Sequence, residues 1–244
     1  MADDHQEAAR IALAQQIRAC EREMQRVGEI LSRLKALNET KRLLEPWHED
    51  MLHHFAGELG FSHLRLTSYR HDWLNLPTIA LAARSTLELS VWIFYCCKST
   101  LNARRFFEDK FRDGAGFYDA MKRFMRCVPG GHQADSRIEE FKTVLDDLAM
   151  AVGAGSSQTE YTKVLAAAKE VAGREYFASL NAVLSKFVHP TSMVVLNYLT
   201  RECDGSLDGL AVFFKFIGVS QEIAGWAAIG AFINGLGIGP QAVD

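Results

Sequence analysis

Proline is scarce in this chain, with five residues in 244, at Pro46, Pro77, Pro129, Pro190 and Pro240. Proline is disfavoured in a helix interior, so the long stretches without one leave room for long helices. Cysteine is also scarce and odd in number: Cys20, Cys96, Cys97, Cys127 and Cys203, with no pair in C-x-x-C spacing. That excludes a dense disulfide framework and argues against a zinc site built on cysteine. Reduced, mostly buried thiols in a cytoplasmic protein are expected instead. Neither sign of charge dominates: 27 Lys and Arg stand against 30 Asp and Glu, a net charge of −3. The chain as a whole therefore has no field that draws nucleic acid or an anionic membrane, and only a local basic patch could do so.

Several motifs are missing too. G-x-x-x-x-G-K-[ST], G-x-G-x-x-G and G-x-S-x-G do not occur, which speaks against a P-loop, a dinucleotide fold and an α/β-hydrolase. The opening Met1-Ala2-Asp3-Asp4-His5 is acidic and no apolar h-region follows, so no secretory signal is expected. No clean run of about 20 apolar residues exists. Residues 78–97 are broken by Arg84 and Glu88, and residues 210–238 by Lys215, Glu222, Asn234 and several glycines. Both are expected to be buried helices rather than membrane spans.

What is present is helical periodicity. With 48% hydrophobic residues a sizeable core is available. Leu13, Ile17, Cys20, Met24, Val27, Leu31 and Leu34 recur at spacings of three and four, a heptad seam flanked by charged residues. This is either a coiled-coil arm making a homodimer through residues 13–34, or an amphipathic helix packed on its own domain. Asn38-Glu39-Thr40 is expected to break it, and Pro46 to open a second helix that Gly60 caps. Pro77 opens a long apolar helix to about Ser99, the expected centre of the bundle.

Shorter helices follow: about 101–112, ended by Gly114 and Gly116; 117–127; a helix to about Val152 with a Ser136/Glu139 capping box; about 158–171; 174–188; and 192–202. One or two helices complete the chain from Leu210 to Leu236. His189-Pro190 must end or kink the helix before it. The expected fold is all-α: a multi-helix bundle over residues 41–244, with an N-terminal amphipathic arm over residues 1–40.

Four groups of residues could carry chemistry. Arg84 and Glu88 are four apart in an otherwise apolar helix, as a buried structural ion pair or as the floor of a polar pocket. Tyr176, Ser185, His189 and Thr191 flank a helix-ending corner. There His189 is either incidental or a general acid-base group, held near free carbonyls that favour its protonated form. Arg104 and Arg105, interleaved with Phe106, Phe107 and Phe111, either line a groove for single-stranded nucleic acid or belong to an ordinary amphipathic helix. His48, Glu49, Asp50, His53 and His54 miss the H-E-x-x-H spacing by one residue, so surface histidines are expected there and no metal. Trp92, Phe94 and Tyr95 offer an apolar pocket for a small hydrophobic ligand.

The pairing of Arg84-x-x-x-Glu88 with the later Ser185-x-x-x-His189-Pro190-Thr191 resembles a bacterial family catalogued as a domain of unknown function. That family in turn is similar to the HEPN superfamily of helical domains, which includes RNA-cutting toxins and defence effectors. The resemblance covers roughly residues 45–200. It implies a HEPN-like bundle that binds or acts on RNA or nucleotides in defence or stress, as a metal-independent ribonuclease if it is an enzyme. His189 would then move the proton of the ribose 2′-hydroxyl or the leaving oxygen, Arg84 would stabilise phosphoryl charge and Glu88 would orient them; Tyr95, Arg104, Arg105, Tyr176, Ser185 and Thr191 would contact substrate. No cofactor is implied. The chain departs from HEPN nucleases in one respect. Those carry an arginine followed by four to six residues and then the histidine on one helix, whereas residues 181–185 hold no arginine, so it would come from Arg84.

Overall fold

The structure is a computed structural model that describes residues 2–69, 75–127, 135–151, 153, 162–171, 173–188 and 204–238. Among these residues are eight helices and no strand. They are α1 (Ala2–Lys41), α2 (Pro46–Ser68), α3 (Leu76–Lys98), α4 (Thr100–Cys127), α5 (Asp135–Ala151), α6 (Val164–Glu170), α7 (Arg174–Val188) and α8 (Asp204–Gly235). The chain is an all-α multi-helix bundle, and it divides into two units, residues 1–98 with 164–244, and residues 99–163.

The first unit is organised around α8. Pairs of neighbouring side chains fix the direction of each helix beside it. Gln16–Ser220, Cys20–Glu222 and Val27–Gly230 climb together, so α1 runs parallel to α8. Ala83–Gly218, Ser90–Gln221 and Ile93–Gly225 make α3 parallel as well. Leu66–Gly218, His63–Glu222 and Leu59–Gly225 descend, so α2 is antiparallel. So is α7, through Tyr176–Gln221 and Phe187–Phe214. Two glycines allow this crowding. A Cβ on Gly218 would sit 2.6 Å from Leu66 Cδ1 and 3.3 Å from Ala83 Cα, and one on Gly225 would sit 3.2 Å from Leu59.

The heptad seam is spent inside the unit. Leu13, Cys20, Val27, Leu31 and Leu34 are buried in this single chain, with α1 lying along α8. The N-terminal helix is therefore part of the first unit rather than a separate arm. α1 continues through Asn38-Glu39-Thr40 and ends at Lys41, one residue past the expected break. Asn38 instead locks the turn that follows: its Nδ2 donates to Leu44 O and to Glu49, and its Oδ1 accepts from Leu44 N. Arg42 takes the left-handed conformation there, with φ of 49°. Gly60 does not cap α2 either, because buried Phe55, Leu59, His63 and Leu66 carry the apolar face on past it. Buried Lys215 of α8 donates to the carbonyl of Tyr69 just beyond α2, a cation at a helix C-terminus.

By length and composition, α3 and residues Asp208–Gly235 of α8 are apolar enough to cross a membrane. In the chain they pack on each other, with 61% and 50% of the 18-residue apolar window in each buried.

The second unit is built on α4 and α5. Gly114–Leu145, Phe117–Phe141 and Tyr118–Glu139 contacts make them antiparallel. The expected end of a helix at Gly114 is not found; α4 runs through it, and the missing side chain there admits Leu145. Glu139 accepts bonds from Tyr118 and Lys122 rather than closing a capping box.

The close approach at Gly218 is directly testable. Gly218→Ala should destabilise the chain by about 1–3 kcal/mol, because Ala83 Cα is backbone and cannot yield cheaply. Gly28→Ala, in α1 with nothing within 4 Å of the added carbon, should stabilise it by about 0.5–1 kcal/mol. Urea unfolding of both variants reads the difference, and equal effects would contradict the packing.

Candidate functional site

Arg84 and Glu88 form the expected pair on α3. Arg84 Nε donates to Glu88 Oε1 at 3.1 Å, with side chains 27% and 36% exposed. The pair is thus not sealed in the core. It occupies the part of α3 that its packing leaves open, and both terminal guanidinium nitrogens are without a hydrogen bond among the described residues.

α7 packs on α3 and runs antiparallel to it. Tyr176, exposed near its start, accepts a hydrogen bond from Gln221 Nε2, whose Oε1 accepts from Ser90 of α3. Phe187, near its end, meets Phe214, which lies about two turns below Gln221 on α8. Gly218 is level with Ala83 of α3, so Phe214 and the end of α7 lie about one turn below Ala83 and Arg84. Ser185 donates to Asn181 O within α7. His189 and Thr191 lie outside the described residues.

Tyr95 is fully buried and its hydroxyl has no partner among the described residues, so it is closed to a substrate. Trp92 meets it edge-on, while Phe94 faces solvent. The three aromatics therefore do not line one pocket. Arg104 and Arg105 belong to the second unit. Arg104 donates to Glu108, one turn along α4, and approaches the Phe107 ring, while Arg112 donates to buried Asp109. Carboxylates of the same helix thus neutralise much of that basic stretch. An apolar pocket of about 150 Å³ does exist in this unit, lined by Phe117, Met121, Met125, Ile138 and Phe141.

A buried polar cluster on α8 was not apparent in the sequence. Glu222, wholly enclosed on α8, receives His63 Nδ1 of α2 at 3.0 Å and Cys20 Sγ of α1 at 3.4 Å, both on Oε2. Its Oε1 is buried with no partner among the described residues. Glu21, at the protein surface, stands 3.9 Å from the other ring nitrogen of His63. Burial drives the Glu222 carboxyl above its usual range, against the pull of His63. The bond to Glu222 raises His63, against its own burial. Burial and the neighbouring carboxylate push the Cys20 thiol far up, so it is a protonated donor and not a nucleophile.

Signals for this cluster were present, but scattered. Glu222 interrupts an apolar helix, and a carboxylate in such a place demands partners. Nothing in the local pattern points to Cys20, 202 residues away, or to His63, 159 away.

The histidines of residues 48–54 divide. His54 is exposed, but His48 is buried, stacked on Trp47 at 5.0 Å and tilted against Phe232 at 5.2 Å. The apolar face of α2 begins with this residue, which is why it is not on the surface.

No family model, curated protein or solved structure matches the chain.

Burial holds His48 below the ordinary histidine value of 6.5. Above that pH the ring is neutral both folded and unfolded. As pH falls through it the unfolded chain takes up the proton first, so the folded state loses stability. His48→Phe should therefore lose less melting temperature than wild type between about pH 7 and pH 5. Parallel Tm-against-pH curves would show that His48 is not held neutral.

Proposed function

We propose that this is a HEPN-like helical protein that binds RNA or nucleotides, with Arg84 as its phosphate contact. The observation that carries the reading is the Arg84–Glu88 pair: an arginine on the central helix, partly open to solvent, held through Nε by a carboxylate one turn away. Orientation by Glu88 fixes the guanidinium plane and leaves its two terminal nitrogens for phosphate oxygens, the paired recognition that arginine provides and lysine does not. Tyr176, exposed on the helix packed beside α3, supplies a ring on which a base can stack.

In the enzymatic form of this reading no metal takes part. His189 accepts the proton of the ribose 2′-hydroxyl, the oxygen attacks the adjacent phosphorus, the P–O5′ bond breaks to leave a 2′,3′-cyclic phosphate, and the departing 5′-oxygen takes a proton from the histidine or from water, while Arg84 stabilises the charge that builds on the phosphoryl oxygens.

Binding of a short labelled single-stranded RNA to the full chain, followed by fluorescence anisotropy at low salt, tests the proposal. Arg84→Ala should weaken binding about tenfold or more while the melting temperature stays close to wild type, as expected for one charge-assisted contact. His189→Ala should bind normally and abolish cleavage. Absence of wild-type binding, or equal binding by Arg84→Ala, would overturn it.

A further inference from the structure

We infer that Cys20, His63 and Glu222 form a binding site for a divalent zinc-like cation, which ties α1, α2 and α8 together. The site does not involve Arg84 or RNA. Three observations lead to it.

The first is the donor set. One sulfur, one imidazole nitrogen and one carboxylate oxygen lie within 4.8 Å of one another, brought from three helices far apart in sequence. These are the atom types that zinc takes, and the spacing fits ligands around one tetrahedral ion. Three protein ligands leave the fourth position to a water.

The second is an imbalance in the hydrogen bonding. Cys20 and His63 both crowd onto Glu222 Oε2, while Oε1 is buried with no partner among the described residues. A carboxylate enclosed for hydrogen bonding alone would be expected to satisfy both oxygens. A cation seated among the three ligand atoms compensates the carboxylate directly. The charges also close: one dication, one thiolate and one carboxylate sum to zero, the least costly state for so enclosed a place.

The third is the placement of Glu21. His63 turns Nδ1 to the cluster and Nε2 towards the Glu21 carboxylate, 3.9 Å away at the protein surface. Ligating histidines commonly present their second nitrogen to such a carboxylate, which favours the tautomer with a free lone pair on the ligating nitrogen. On binding, the Cys20 S–H bond breaks and its proton leaves to solvent. The proton between His63 Nδ1 and Glu222 Oε2 also departs, to Nε2 or to solvent, and the thiolate, the Nδ1 lone pair and the Glu222 carboxylate form the three bonds to the ion.

The test uses the full chain, stripped of metal with a chelator and titrated with Co²⁺ alone. Wild type should bind one ion per chain and show the near-ultraviolet charge-transfer band of a cobalt thiolate, with a raised melting temperature. Cys20→Ser should lose that band, and Glu222→Gln should bind at least about tenfold more weakly. Failure of wild type to bind a stoichiometric ion overturns the proposal, whether or not the variants fold. So does a band that persists in Cys20→Ser, because another cysteine would then be the ligand.

Discussion

A carboxylate enclosed where three helices meet sets the terms for the first unit of this protein. Glu222 cannot be left unpaired on an apolar helix, since an isolated buried charge costs far more than one good contact returns. α1 must therefore deliver Cys20 and α2 must deliver His63 to the same turn of α8. That demand fixes the register of two helices on a third. The same register brings Gly218 and Gly225 against Leu66, Ala83, Leu59 and Ile93, where only a missing side chain lets the helices approach.

Fixed register matters because apolar burial alone leaves helices free to slide. Leu13, Val27, Leu31 and Leu34 would bury almost as well one heptad along, since the seam repeats every seven residues. The polar contact does not repeat. A helix that slid would strand Cys20 away from Glu222 and leave a buried charge with fewer donors. α8 accordingly acts as the axis of the unit, with α1 and α3 running with it and α2 and α7 against it. On this axis Arg84 and Glu88 lie on the partly exposed face of α3. The buried cluster and the open pair are thus separate features of one scaffold, one ordering the helices and the other facing solvent.

The fold class was legible because its signals are local. Scarce proline, the seam at residues 13–34 and the apolar run at residues 78–97 each announce a helix, and each is one. Helix ends were harder to read. Gly60 and Gly114 look like stops, yet both lie within helices. At Gly60 the apolar face continues, and at Gly114 a leucine from α5 fills the space. Whether the seam joined two chains or packed within one was a question of partners, which periodicity does not encode.

The site was legible only in part. Arg84 and Glu88 were readable because they are four apart on one helix. The Cys20–His63–Glu222 cluster was not, because its members come from three helices and only Glu222 looks out of place where it stands. Tyr95 and His48 were misjudged for the same reason: an aromatic or an imidazole in a helix gives no sign of which side it faces until the neighbouring helices are in place.

The most direct measurement of this account is a double-mutant cycle between positions 63 and 222, using His63→Gln, Glu222→Gln and the double variant in urea unfolding. If the enclosed carboxylate organises the helices through its histidine partner, the two substitutions should be coupled by more than about 1 kcal/mol. Effects that simply add, to within about 0.3 kcal/mol, would mean that the contact orders nothing and that apolar packing alone sets the register.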